Sequence, residues 1–120
     1  MKSYHQSEQD YLESILMLSQ ENAIVHRIDV AKRMNVSQAA VNKAIKLLLE
    51  KGYLYEDGKH LFLTEEGTAY AKRVYETHCT VRQFLQALGV SPTQAEEDAC
   101  KMEHLVSEET LSAMQAFLKK

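Results

Sequence analysis

Apolar residues at Tyr11, Leu12, Ile15, Leu16 and Leu18 recur at steps of one, three and two that together fill one helical face, and the spacing predicts a first helix over residues 7–20. Ser7 is its expected cap, with Glu8 and Asp10 in the first turn where the helix dipole favours acids. A short break follows at 23–25. Ile28, Val30, Ala31 and Met34 then mark a brief second helix, Asn35 and Val36 a turn, and Ser37 the cap of a third helix. That third helix carries Ala40, Val41, Ala44, Ile45, Leu47, Leu48 and Leu49 until Gly52 ends it. Two short helices joined by a tight turn have the outline of a helix-turn-helix.

The period changes after Gly52. Tyr53, Leu54 and Tyr55 are strand formers, Asp57-Gly58 is a strong hairpin signal, and Leu61, Phe62 and Leu63 supply the returning strand. A hairpin directly after a helix-turn-helix predicts a winged helix. Thr64 then opens a long helix, expected to run to Gly89 with a stripe of Tyr70, Val74, His78, Val81, Leu85 and Leu88. Ser91-Pro92-Thr93-Gln94 reads as a capping box with proline at the first helical position, starting a helix to about Val106. Ser107, Glu108 and Glu109 start a last helix with Leu111, Met114, Phe117 and Leu118 on its apolar side. The fold class is therefore mostly α, with a two-stranded wing.

Composition narrows the functions open to such a chain. Its 120 residues are 45% apolar and 26% charged, with one proline and four glycines, which excludes disorder, collagen and a loop-rich β sandwich. No apolar run is long enough for a spanning helix, and Met1, Lys2 and Ser3 lead into a polar stretch unlike a signal core, so no membrane association and a cytoplasmic location are expected. The formal charge of −3 hides a segregation: residues 27–51 carry six positive against two negative groups, whereas residues 91–110 carry one against six. The first segment suits phosphates and the second suits cations.

In a helix-turn-helix the start of the second helix meets base edges, which points to Ser37, Gln38, Ala39, Asn42 and Lys43. Gln38 and Asn42 can read adenine with two hydrogen bonds, and Lys43 and Lys46 can reach guanine or phosphate. Arg27, Arg33, Lys59 and His60 are candidates for the DNA backbone. In the acidic segment, Cys100, Glu103 and His104 stand at i, i+3 and i+4, so a helix would project thiolate, carboxylate and imidazole from one face. Asp10 and Glu13 make a second pair at i and i+3, and His78 interrupts the long apolar stripe. Spacing by itself leaves both a metal site and ordinary solvated or core residues open.

From about Glu8 to Ser107 the chain resembles the diphtheria-toxin-repressor and manganese-regulator (DtxR/MntR) family of metal-dependent transcriptional regulators. The residues that carry the likeness are Asp10-Tyr11-Leu12-Glu13, Val30-Ala31 through Ser37 to Leu48, Leu63-Thr64-Glu65-Glu66-Gly67, His78, and the run from Cys100 to Ser107. The resemblance implies a homodimer on a palindromic double-stranded operator, with a DNA-binding domain over 1–70 and a helical metal-binding and dimerisation domain over 71–120. It is similar to the short branch without an SH3-like domain. It places Asp10, Cys100, Glu103 and His104 at one metal site and Glu13 and His78 at or beside a second. Asp10 and Glu13 match the manganese-type pattern, while Cys100 stands where that branch usually has glutamate and the iron-type branch cysteine. Glu96 and Arg82 stand where the iron-type ancillary site offers a histidine and a glutamate, and an arginine cannot ligate. The implied cofactor is Fe(II) or Mn(II), with Zn(II) or Co(II) able to substitute in vitro.

These readings together predict a repressor of metal-ion homeostasis in which an ion clamps the two lobes. Linkage then requires DNA to tighten metal binding by the factor that metal tightens DNA binding. A different mechanism, a thiol redox switch at Cys79 or Cys100, predicts DNA affinity that responds to oxidants. An enzyme is not expected, because no HExxH, no Ser-His-Asp order and no phosphate loop occurs.

Overall fold

The structure is a computed structural model that describes residues 4–120, with side chains from Glu8 onward. It contains two compact units, one ending at Lys72 and one spanning Arg73–Lys120.

The first unit comprises α1 (Tyr4–Glu21), α2 (Arg27–Met34), α3 (Gln38–Glu50), β1 (Leu54–Asp57), β2 (His60–Leu63) and the start of α4 (Glu65–Ala87). Helix α1 begins at Tyr4, so Ser7 lies inside it instead of capping it; neither glycine nor proline stands there to stop the helix earlier. The five apolar residues of its stripe are all buried, and they pack with Val25, Val30, Val41, Ile45, Leu48, Leu54 and Leu61 in one core. At the start of α2 the His26 amide donates to Asp29 Oδ2 at 2.9 Å. Asn35 closes that helix in the left-handed region, φ 55°, a conformation asparagine tolerates, and the Val36 amide turns back onto the Ala31 carbonyl. Ser37 then caps α3, its Oγ accepting from the Ala40 amide at 3.1 Å.

The wing pairs Leu54 with Leu63 through to Asp57 with His60, antiparallel. Its loop is Gly58-Lys59, one residue later than the Asp57-Gly58 signal suggests, with Gly58 supplying the positive φ at the first loop position. Tyr55 stacks on Phe62 across the strands. A third short pairing, Val25 with Leu61, ties the segment before α2 to the free side of β2.

Thr64 fastens α4 to this unit. Its hydroxyl accepts from the Gly67 amide, as an N-cap, and donates to the Gly52 carbonyl at 2.7 Å. One turn along, the Tyr70 hydroxyl donates to Glu8 Oε2 at 2.9 Å and accepts from Gln9 Nε2, while Glu8 also pairs with Lys51. Burial raises the Tyr70 phenol above its ordinary pKa, and the neighbouring Glu8 carboxylate adds to the rise, so the hydroxyl stays protonated as a donor. Tyr70→Phe leaves the buried Glu8 carboxylate one donor short and is expected to cost about 1–3 kcal/mol in urea unfolding. A change below a few tenths would show that this hydrogen bond contributes nothing.

The second unit comprises the rest of α4, then α5 (Pro92–Met102) and α6 (Glu108–Leu118). Ser91 caps α5, but Gln94 bonds forward to Asp98 at 2.9 Å, so the expected reciprocal box is only half formed. Helix α5 ends at Met102, four residues short of the expected Val106. The reason is α6: its cap Ser107 needs an extended backbone, so the chain tightens first, with the Leu105 and Val106 amides both on the Met102 carbonyl. Val81, Ala99 and Met114 form the core of this unit, flanked by Phe84, Leu85, Met102 and Val106. Leu88, expected at the end of the α4 stripe, lies past the helix end and is 61% exposed.

Candidate nucleic-acid interface and metal centre

The first unit presents the polar start of α3 to solvent. Val41, Ile45 and Leu48 face the core, which leaves Ser37, Gln38, Ala39, Asn42, Lys43 and Lys46 exposed on the opposite side. Lys59, at the tip of the wing, is exposed too. A cleft of about 380 Å³ separates α3 from the wing, lined by His26, Arg27, Ile28, Gln38, Glu56 and Lys59. Arg27 is half-buried on its wall. Its Nε and Nη2 donate to the two carboxylate oxygens of Glu56 at 3.0 and 2.8 Å, and its Nη1 donates to Asn42 Oδ1 at 3.0 Å. Sequence reasoning named Arg27 and Asn42 but not Glu56. An acid in a strand of alternating burial carries no local signal that it faces an arginine 29 residues away.

Six metal-donor candidates divide between the units. Asp10 and Glu13 lie half-buried on α1, three residues apart on one side of the helix. The second unit brings the other four together. His78 is buried on α4, Cys100 is exposed on the last turn of α5, Glu103 is the buried C-cap residue, and His104 follows in the turn. Because α5 stops at Met102, the i, i+3, i+4 face expected of Cys100, Glu103 and His104 is half helix and half turn. Glu103 nevertheless keeps helical dihedrals, φ −57° and ψ −27°, and its amide still reaches the Ala99 carbonyl at 2.9 Å.

Glu103 sits between two imidazoles. Its Oε2 is 2.9 Å from His78 Nδ1 and its Oε1 is 3.4 Å from His104 Nε2, with all three side chains less than a tenth exposed. On its other side the His78 ring meets Glu96, Nε2 lying 3.0 and 3.1 Å from the two carboxylate oxygens. A carboxylate only accepts, so Nε2 carries the proton. The other ring nitrogen, Nδ1, faces Glu103 Oε2, so the imidazole bridges two carboxylates, Glu96 and Glu103. One donor atom each from His78, Glu96 and Cys100 also lies within 4.8 Å of the others. Thiolate, carboxylate and imidazole in such a cluster fit a first-row divalent metal. Arg82 Nη1 stands 3.5 Å from Glu96, so the guanidinium of an arginine, which cannot ligate, lies on the flank of that group. Cys79 is half-buried and belongs to none of the clustered groups found among the described residues.

Comparison with known proteins adds to this geometry. Residues 4–61 match the model "Iron dependent repressor, N-terminal DNA binding domain", and residues 64–120 match "Iron dependent repressor, metal binding and dimerisation domain". The chain is 37% identical over 118 residues to an HTH-type transcriptional regulator of Methanocaldococcus jannaschii, covering 96% of this chain and 94% of that one. It is 43% identical over 112 residues to the transcriptional regulator MntR of Escherichia coli O157:H7, covering 92% and 72%. Among solved structures, the manganese regulator SloR superposes with a TM-score of 0.82 at 29% identity, over 93% of this chain and 53% of that one. The chain thus spans about half the length of that regulator. None of these relatives supports a thiol switch, and no described helix is long and apolar enough to cross a membrane. With both halves matched and the relatives aligned over nearly its whole length, the chain belongs to the DtxR/MntR (iron-dependent repressor) family of metal-dependent, DNA-binding transcriptional regulators.

Proposed function

We propose that the protein is a cytoplasmic, non-catalytic repressor that senses Fe(II) or Mn(II), and that Asp10, Glu13, His78, Cys100, Glu103 and His104 form its metal centre. The observation that carries the reading is the convergence of buried donor atoms of His78 and Glu103 in the part of the chain that matches a metal-binding domain. The bound ion supplies the positive charge that lets these acids, thiolate and imidazoles share one place. Asp10 and Glu13 belong to α1, which packs directly on α2 and α3, so holding these two carboxylates holds the reading head. Cys100, Glu103 and His104 belong to the other lobe, which completes the clamp. The functional division falls near residues 70 and 71, inside the continuous α4.

The core of the second unit is small, and Leu88, Leu105 and Phe117 are about half exposed or more, which suits burial against a second copy. A two-fold dimer places two α3 helices in successive major grooves about 34 Å apart, hence the palindromic operator. Ser37, Gln38, Ala39, Asn42 and Lys43 face base edges there, and Lys46 and Lys59 face phosphates, with Arg27 behind them.

The direct test replaces the soft donor. Cys100→Glu is expected to retain metal-dependent DNA binding in mobility-shift titrations but to move preference from Fe(II) toward Mn(II). The expected shift is at least about tenfold, the size of change that even an outer-shell partner produces. Unchanged selectivity would mean that the thiol is not a ligand.

A further inference from the structure

We infer that Glu56 and Arg27 are positioning residues that fix the Asn42 amide in one orientation, making Asn42 a donor-only reader selective for guanine at its base pair. The inference rests on the reading of α3 as the recognition helix.

An arginine nitrogen can only donate, so the group of Asn42 that meets Nη1 at 3.0 Å must be its carbonyl oxygen, and its NH2 is the end left to face outward. Arg27 cannot easily turn away. Two of its nitrogens are held by the two oxygens of Glu56 in the parallel fork that fits a guanidinium best, and both side chains are about three-quarters buried, where such charge-assisted bonds are least screened. The anchor sits on β1 of the wing and Arg27 on the first turn of α2, so three elements converge on one amide.

Reading adenine requires Asn42 to present Oδ1 and Nδ2 side by side to the N6 and N7 edge. With Oδ1 turned to Arg27, only the donor end is offered. A base edge that presents acceptors suits it, and guanine offers two, O6 and N7. Glu56 also cancels the Arg27 charge, so this arginine adds direction in place of attraction for phosphate.

The test is selection of preferred sites from a randomised DNA library by the full-length, Mn(II)-loaded protein, comparing wild type with Asn42→Ala, Glu56→Ala and Arg27→Lys. The position whose preference disappears in Asn42→Ala identifies the base pair read. There the wild type is expected to favour guanine over adenine by about tenfold or more, the discrimination of one well-placed amide contact. Glu56→Ala should lose that preference at this position alone and admit adenine. Arg27→Lys, which keeps the charge but not the fork, should do the same and guards against a folding defect in the first variant. If Asn42→Ala changes no position, Asn42 does not read a base and the inference fails, while the recognition-helix reading stands on Gln38 and Lys43; if the wild type selects no site at all, that reading fails too. If it does change one, but adenine is preferred there, or Glu56→Ala leaves the preference intact, the inference alone fails. Uniformly tighter binding by Glu56→Ala would also overturn it, by showing that Arg27 is a phosphate contact held in check.

Discussion

Glu103→Ala is expected to raise the concentration of Mn(II) or Fe(II) needed for DNA binding at least about 100-fold, above the 10–100-fold that loss of an outer-shell partner produces. The two oxygens of Glu103 face two different imidazoles, His78 and His104, and its side chain is 3% exposed. Its removal leaves both rings without the carboxylate that aligns them. The fold should survive, since the contribution of Glu103 to α5 is its amide bond to the Ala99 carbonyl, which alanine retains. A mobility-shift titration against metal, with circular dichroism to confirm helix content, checks the expectation. The readout can be repeated without DNA, because ligand binding raises the melting temperature by linkage and the variant should show no such rise at metal concentrations that stabilise the wild type. A variant that responds to metal like the wild type would remove Glu103 from the centre.

The second large effect is expected from one of the smallest changes. Gly67→Ala places a methyl 1.9 Å from the Tyr53 carbonyl oxygen and 2.8 Å from its carbon, both backbone atoms that no rotamer change can move. That carbonyl accepts from the Thr64 amide at 3.0 Å, and the Thr64 hydroxyl holds both Gly52 and Gly67, so relief of the clash would break the junction of wing and α4. A loss of about 3 kcal/mol or more is expected, at the upper end of overpacking costs, although alanine favours helices over glycine by about 1 kcal/mol. Thermal or urea unfolding measures it. Stability equal to or above wild type would show that α4 can shift away from Tyr53 freely.

Local signals accounted for most of the fold. Ser37, Ser91 and Ser107 each act as the cap their positions predict, because a cap is settled within four residues. The burial of Tyr11, Leu12, Ile15, Leu16 and Leu18, and of Val41, Ile45 and Leu48, follows from helical period alone. The errors lie at element ends. Ser7, Gln94, Leu88 and Val106 depart from their local signals, because a neighbouring element, or the lack of a breaker, sets the boundary in place of the residue itself.

The donor types of the metal centre and the polar start of α3 were legible as residue kinds at known spacing, and the amino-acid sequence by itself determined the winged-helix order, the segregation of charge and the family. Tertiary structure alone decided which atoms face one another: Glu96 and Glu103 on the two nitrogens of His78, Tyr53 against Gly67, and Glu56 behind Arg27 and Asn42. The physical reason is range. Caps and periodicities are fixed by bonds within a turn or two of the chain, whereas a carboxylate meets its imidazole or guanidinium only after segments 18 to 29 residues apart have packed, and packing follows from the whole set of side chains at once.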